Sequence, residues 1–248
     1  MIDVLILSIV QGITEFLPVS SSSHLIIISK LTNFQEQSLS IDVSMHIGSF
    51  FAVVVYFKKE IFNFIENREL FYKILVSSIP VLIIGFFLIQ TNLIQELRNI
   101  KVIGWMTLIF GILLYISDKF RLEKKINSDF SLKSAVIIGI FQVISLIPGV
   151  SRSGVTITAA RFLNFERYDS AKISFLLSIP TLGAITIFGL KNMILSESIK
   201  FSILNLASIA FSFFFSIITI KYFLKYIKKF NFNLFVIYRI ILGFILLG

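Results

Sequence analysis

Hydrophobic residues fill most of this chain in long stretches that are separated by short polar segments. Six of these stretches are long enough, or nearly so, to cross a lipid bilayer as helices, since a span needs about 17–25 residues. They are Ile41–Phe57, Lys73–Gln90, Val102–Ser117, Ile173–Leu190, Ile203–Ile220 and Asn233–Leu247. The pattern predicts an all-α integral membrane protein with six full spans.

Two further apolar regions, Ile2–Lys30 and Lys133–Arg161, are interrupted near their middle by proline, serine and charged residues. The interruptions read QGITEFLPVSSSSH at residues 11–24 and QVISLIPGVSRSG at residues 142–154. Polar side chains and a broken backbone are costly in lipid unless they are buried in protein or line a water-filled cavity. Each region is therefore predicted to be a re-entrant helical hairpin, and each tip is a candidate functional site.

The lysines and arginines of the loops are distributed unevenly between the two sides of this arrangement. The crowded side receives sixteen of them: Lys58, Lys59, Arg68, Lys73, Lys119, Arg121, Lys124, Lys125, Lys133, Arg161, Arg167, Lys172, Lys221, Lys225, Lys228 and Lys229. The other side receives five: Lys30, Arg98, Lys101, Lys191 and Lys200. Because basic loops remain in the cytoplasm, the crowded side is predicted to be cytoplasmic. The first hairpin then enters from outside and the second from the cytoplasm.

The two interrupted regions also resemble each other. In each, a glutamine precedes a serine by nine residues with a proline between them, as in Gln11 and Ser20, and in Gln142 and Ser151. Repeated sequence with opposed entry sides is typical of inverted-topology repeats, whose sites form from broken helices where the repeats meet. We therefore predict a single transmembrane domain built from two approximate repeats, residues 1–130 and 131–248.

Composition supports a membrane protein and excludes several other classes. The chain is 56% hydrophobic with a mean hydropathy of +0.91, and only 15% of its residues are charged, against about 25% in soluble domains. Its net charge of +9 is explained by basic cytoplasmic loops, and no groove-reading module accompanies it, so nucleic-acid binding is not expected. The absence of cysteine excludes disulfides and thiolate metal sites.

The hairpin tips have the chemistry of an anion site. A proline ends each inward arm, and the serines that follow are good N-caps for the outward arm. Two helix N-termini would therefore face the middle of the protein, where such ends bind phosphate. Arg152 adds a planar, permanently charged group suited to phosphate oxygens. The predicted ligand is a phosphate or diphosphate, bound among Arg152, Gln11, Ser20, Ser22, Ser151 and Ser153.

Acid–base groups lie beside this predicted anion site. Ser21 and His24 are three residues apart on the outward arm, so their hydroxyl and imidazole are expected on one side, and Glu15 ends the inward arm. A Ser–His–Glu set next to Arg152 fits attack on phosphorus by a serine or by an activated water. Glu15, Ser21, His24 and Arg152 are the predicted catalytic residues. A transporter would need the anion site but neither a nucleophile nor a proton shuttle.

The same segments closely resemble the undecaprenyl-diphosphate phosphatase family, the integral membrane type associated with bacitracin resistance. Residues 11–24 match its motif (E/Q)-G-x-T-E-F-L-P-x-S-S-x-x-H, and residues 148–154 match P-G-x-S-R-S-G. Arg161 and the stretch Phe175–Pro180 also look like family features. The resemblance covers essentially the full length of the chain.

This resemblance implies hydrolysis of undecaprenyl diphosphate to the monophosphate and inorganic phosphate in the bacterial plasma membrane. Because the hairpin that carries Glu15, Ser21 and His24 is predicted to enter from outside, the site is expected to open to the outer side. It implies recycling of the lipid carrier for peptidoglycan and other envelope polymers. It also implies a divalent cation, Mg²⁺ or Ca²⁺. Other members carry Glu or Gln at the position of Gln11, and because this chain has no carboxylate there, Glu15 is the candidate ligand. The alternative is a transporter or flippase of a polyprenyl phosphate that uses the same anion site.

Overall fold

A computed structural model describes residues 2–32, 39–63, 68–91, 97–120, 122–195 and 203–248 of the chain. The helices are α1 (Ile2–Thr14), α2 (Ser21–Thr32), α3 (Leu39–Tyr56), α4 (Lys58–Asn63), α5 (Arg68–Gln90), α6 (Ile100–Asp118), α7 (Ile126–Asp129), α8 (Leu132–Val143), α9 (Arg152–Phe162), α10 (Arg167–Leu195), α11 (Ile203–Ile227) and α12 (Asn233–Leu247). A short 3₁₀ turn, Ile144–Leu146, extends α8. The predicted loop charges Arg121 and Lys200 lie outside the described residues.

The prediction of an all-α membrane protein is confirmed at the level of its helices. Each of the six apolar stretches forms a helix, and α5, α6, α10 and α11 are long and apolar enough to cross a membrane. The helices α3 and α12 are apolar but shorter. Many large apolar side chains face outward, among them Phe86, Phe87, Ile237 and Ile241, as expected of surfaces that contact lipid rather than water.

Both interrupted regions fold as two helices joined by a tight break. Pro18 and Pro148 cannot donate a backbone hydrogen bond, so the inward helices end before them. The outward helices begin directly after Ser20 and Ser151, whose φ angles are 74° and 73°. Non-glycine residues rarely adopt this left-handed region, and such strained positions concentrate at functional sites. The two hairpins thus use the same unusual backbone at equivalent serines.

The hairpins enter the helical bundle from opposite ends. The open end of the α1–α2 hairpin packs against Ile41 and Leu204, where α3 and α11 begin. The open end of the α8–α9 hairpin lies beside Asp118 and Arg167, where α6 ends and α10 begins. The two tips therefore meet in the middle of the bundle.

Helices from the two halves of the chain pack on each other in a matched pattern. The inward helix α1 packs along α11, and its counterpart α8 packs along α5. Both contacts are close: a Cβ on Gly12 would lie 2.8 Å from the Ser212 carbonyl, and one on Gly139 would lie 2.5 Å from the Ser77 carbonyl. The contact between α3 and α11 likewise matches the contact between α10 and α5. Two further contacts, α3 with α10 and α6 with α12, each join a helix to the helix at the matching position of the other half. Each half of the chain therefore needs helices of the other half to complete its packing.

An ionic cluster fixes one end of the bundle. The carboxylate of Asp118 accepts a hydrogen bond from Arg167 Nε at 2.7 Å and pairs with Arg161 at 3.5 Å. Arg161 is completely buried and donates to the carbonyls of Phe120, at 2.6 Å, and Phe165. Arg161 thus lies at the same end of the bundle as Arg167, as a buried residue rather than an exposed loop charge, and its guanidinium ties α6, α9 and the following turn together.

Candidate active site

The carboxylate of Glu15 is the centre of the contact between the two hairpin tips. One oxygen, Oε1, accepts from Arg152 Nη2 at 2.7 Å. The other, Oε2, accepts from the Ser21 hydroxyl at 2.6 Å and from Gln11 Nε2 at 2.9 Å. Glu15 is buried and lies one residue beyond the end of α1. Four of the residues predicted from sequence, drawn from both hairpins, are thus in direct contact.

Arg152 occupies the first position of α9, so the sequence carries it directly into the tip. Besides its ion pair with Glu15, its Nη1 donates to the Ser174 carbonyl at 3.3 Å. The side chains of the pair are 14% and 7% exposed, and a buried cation is stable only with such partners. Arg152, the predicted phosphate clamp, is therefore bound to a carboxylate of the other hairpin.

The tip serines hold the broken backbone in place. Ser151 caps α9 by accepting from the Gly154 amide at 3.1 Å, and Ser153 donates to the Leu17 carbonyl of the other tip at 2.7 Å. Ser20 lies 2.9 Å from the Ser23 hydroxyl. Of the predicted phosphate ligands only Ser22 is exposed, 3.3 Å from the Ser20 hydroxyl. The serine hydroxyls at these tips therefore contribute to the geometry of the tips.

His24 does not form the expected contact with Ser21. The Nδ1 atom of His24 lies 2.7 Å from the Ser20 carbonyl oxygen, and Nε2 is hydrogen-bonded to the Tyr238 hydroxyl. The Ser21 hydroxyl donates to Glu15 instead. A spacing of three residues puts Ser21 and His24 on one face of α2. Because Ser21 is the first residue of that helix, its hydroxyl can reach back across the break to Glu15.

Arg239, which sequence reasoning did not select, connects both tips to the rest of the bundle. This fully buried side chain of α12 donates to the Pro18 carbonyl of the first tip at 3.0 Å and to the Gly149 carbonyl of the second at 2.9 Å. It also donates to the carbonyls of Val150, Thr107 and Met106. No carboxylate pairs with it in the described part of the chain. The only signal in the sequence is a single arginine within an apolar helix.

The site offers oxygen ligands for a divalent cation, although few of them are charged. Within the described ranges, no three acidic or histidine side chains converge on a metal position. The Gln11 Oε1 atom is buried without a hydrogen-bond partner among those residues, while the same side chain bonds to Glu15. One carboxylate and one amide oxygen fit Mg²⁺ or Ca²⁺, provided that water or substrate oxygens complete the coordination.

Comparison with known proteins finds similarity along the whole chain. Residues 4–245 match the family described as bacitracin resistance protein BacA. An undecaprenyl-diphosphatase of Pelagibacter ubique (strain HTCC1062) is 50% identical over 246 residues, which cover 99% of this chain and 96% of the relative. Undecaprenyl-diphosphatases of Campylobacter curvus (strain 525.92) and Jannaschia sp. (strain CCS1) are 42% and 39% identical. The matches cover 99% and 98% of this chain, and 97% and 96% of those relatives.

Proposed function

The chain belongs to the bacitracin resistance protein BacA family, and we propose that it hydrolyses undecaprenyl diphosphate to undecaprenyl phosphate and inorganic phosphate. The observation that carries this proposal is the cluster of Glu15, Ser21 and Arg152 where the hairpin tips meet. It brings a proton acceptor, a hydroxyl and a permanent positive charge into direct contact. The product is the lipid carrier used for peptidoglycan and other envelope polymers, whose recycling fits a family named for bacitracin resistance.

We place the protein in the bacterial plasma membrane with six spans and two re-entrant hairpins. Entry of the hairpins from opposite ends of the bundle supports this arrangement, as does the matched packing of residues 1–130 and 131–248 as inverted repeats. The positive-inside rule puts the open end of the first hairpin on the outer side. A lipid diphosphate would then reach Glu15 and Ser21 from the outer leaflet.

The diphosphate would bind where the helix N-termini of α2 and α9 face each other. Arg152 donates to Glu15 and to the Ser174 carbonyl, although a guanidinium has five N–H groups to donate. An incoming phosphate would compete with Glu15 for this cation, because both are anions with oxygen acceptors. Transfer of Arg152 from the carboxylate to the phosphate is the first step that the geometry supports.

That transfer would also prepare Glu15 to accept a proton. A carboxylate that loses its cationic partner binds a proton more readily. Ser21 already donates to Oε2, so its oxygen can attack the terminal phosphorus while its proton passes to Glu15. The bond from phosphorus to the bridging oxygen breaks and undecaprenyl phosphate leaves. Water then hydrolyses the phosphoserine, with His24 receiving its proton. In the alternative route water attacks directly, with Ser21 orienting it and His24 receiving its proton.

A divalent cation would be held by side-chain oxygens at the hairpin tips. These are the Glu15 carboxylate and the Gln11 Oε1 atom, which has no hydrogen-bond partner among the described residues. Bound there, Mg²⁺ or Ca²⁺ would neutralise negative charge that develops on the phosphate groups.

Phosphate release from a C55 or C15 prenyl diphosphate by the purified protein tests the proposal. We expect release that EDTA abolishes and Mg²⁺ or Ca²⁺ restores, and near-complete loss in Glu15→Gln. The matched control is Glu69→Gln, because the Glu69 side chain is 77% exposed on α5. No release by wild-type protein would refute hydrolysis. Movement of polyprenyl phosphate across liposomes without phosphate release would favour the transporter, which the names of the relatives do not support.

A further inference from the structure

Tyr238 of α12 is the side chain that bonds to the imidazole of His24. Its hydroxyl contacts Nε2, and the planes of the two rings are nearly parallel, with an interplanar angle of 11° and centroids 5.7 Å apart. The residues are separated by 214 positions in the chain. This contact therefore joins the last helix of the protein to the first catalytic hairpin.

The hydrogen bonds of His24 determine which ring nitrogen carries the proton. Nδ1 faces the Ser20 carbonyl oxygen, which can only accept, so Nδ1 must be protonated. In the neutral ring, Nε2 then carries the lone pair, and the Tyr238 hydroxyl donates to it. Nε2 is therefore the nitrogen at which His24 gains or loses a proton.

We propose that Tyr238 is a positioning residue for His24 in the hydrolysis proposed above, on which this inference rests. A phenol hydroxyl can both donate and accept. It donates to neutral Nε2, and it can accept from Nε2–H once the ring is protonated. The imidazole thus keeps its place in both protonation states, and a proton arrives at Nε2 beside this hydroxyl.

This role predicts an effect on turnover rather than on substrate binding. The proposed phosphate contacts belong to Arg152 and the helix N-termini, whereas the hydroxyl of Tyr238 bonds to His24. Loss of an interaction that acts only during proton transfer lowers kcat and leaves KM nearly unchanged. A purely structural role for Tyr238 would instead lower the amount of folded protein without this division between kcat and KM.

Tyr238→Phe is the decisive variant because it keeps the ring and removes only the hydroxyl. We expect kcat to fall about three- to tenfold, the equivalent of one net hydrogen bond, with KM within about twofold of wild type. Tyr222→Phe, an exposed tyrosine of α11, should match wild type. In a His24→Gln background, Tyr238→Phe should cause no further loss, because residues that act through one another are not additive.

Nitrogen-15 NMR of labelled histidine gives a readout that does not depend on activity. The chain has two histidines, and His46→Gln identifies the signals of His24. We expect Nδ1 protonated and Nε2 hydrogen-bonded, with the Nε2 signal moving to that of an unbonded nitrogen in Tyr238→Phe. An unchanged Nε2 signal, or an unchanged kcat in an active protein, would overturn the inference. A wild type that releases no phosphate would overturn the proposed hydrolysis instead.

Discussion

Replacing Arg239 with lysine should separate the hairpin tips while conserving the buried charge. The guanidinium donates to five backbone carbonyls, including Pro18 on one tip and Gly149 on the other. A lysine ammonium places its three N–H groups on one atom, whereas Arg239 uses Nη1 for Pro18 and Nη2 for Gly149 and Val150. Met106 and Thr107 lie inside α6, where their carbonyls also accept helix hydrogen bonds, so the loss falls on the tip carbonyls. We expect a loss of about 1–3 kcal/mol for each tip carbonyl that the lysine leaves unsatisfied.

The catalytic effect of Arg239→Lys should exceed what this loss of stability explains. Glu15 and Arg152 come from different tips, and a shift of about 1 Å between reacting groups can lower the rate about 100-fold. We expect a drop in kcat of this order, measured as phosphate release well below the melting temperature in detergent. Wild-type kcat in a correctly folded Arg239→Lys protein would refute the assignment of Arg239 as the support of the tips.

Two control variants distinguish positioning of the tips from general destabilisation. Arg161→Lys also removes a buried guanidinium that donates to backbone carbonyls, but at the end of the bundle away from the tips. It should lower the melting temperature and leave kcat near wild type at temperatures where it is folded. Arg68→Lys, on the exposed start of α5, should change neither quantity.

Three further predictions concern the site and its orientation. Arg152→Lys should lose most activity although the charge remains, because a point charge replaces a two-pronged donor; near wild-type turnover would exclude Arg152 from the phosphate clamp. In this cysteine-free chain, Asn99→Cys should react with an impermeant thiol reagent on intact cells and Asn127→Cys should not, whereas the reverse pattern would invert the proposed topology. Ser21→Ala and Glu15→Gln should each lower kcat by at least about 100-fold. Their double variant should be little worse than the poorer single, and additive losses would show that the two do not act as a unit.

The helices could be predicted from the sequence because their determinants are local. Apolar runs define the long helices, and Pro18 and Pro148 define the two breaks without reference to any distant residue. The equivalence of Ser20 and Ser151 was also visible, since both follow a glutamine by nine residues. Their shared positive φ could not be predicted, because a left-handed serine depends on the contacts that enforce it.

The contacts within the site could be predicted only in part. Motif residues were expected to cluster, but the Glu15–Arg152 pair joins positions 137 apart in the chain, and spacing says nothing about such a pair. The rule for residues three apart suggested a Ser21–His24 contact, yet each side chain bonds to a partner on another segment. Arg239 was not predicted because its partners are backbone carbonyls, which every residue carries and which therefore produce no pattern in the sequence.

The interlocked packing of the two halves has a consequence for how the protein is made. Helix α1 packs along α11, so the first hairpin to emerge from the ribosome waits for a partner that is synthesised about two hundred residues later. Until then Gly12 has no close neighbour in α11, and the polar tip at Glu15 has no Arg152. The packing of the first hairpin and the ion pair at its tip are therefore completed only when the second half arrives.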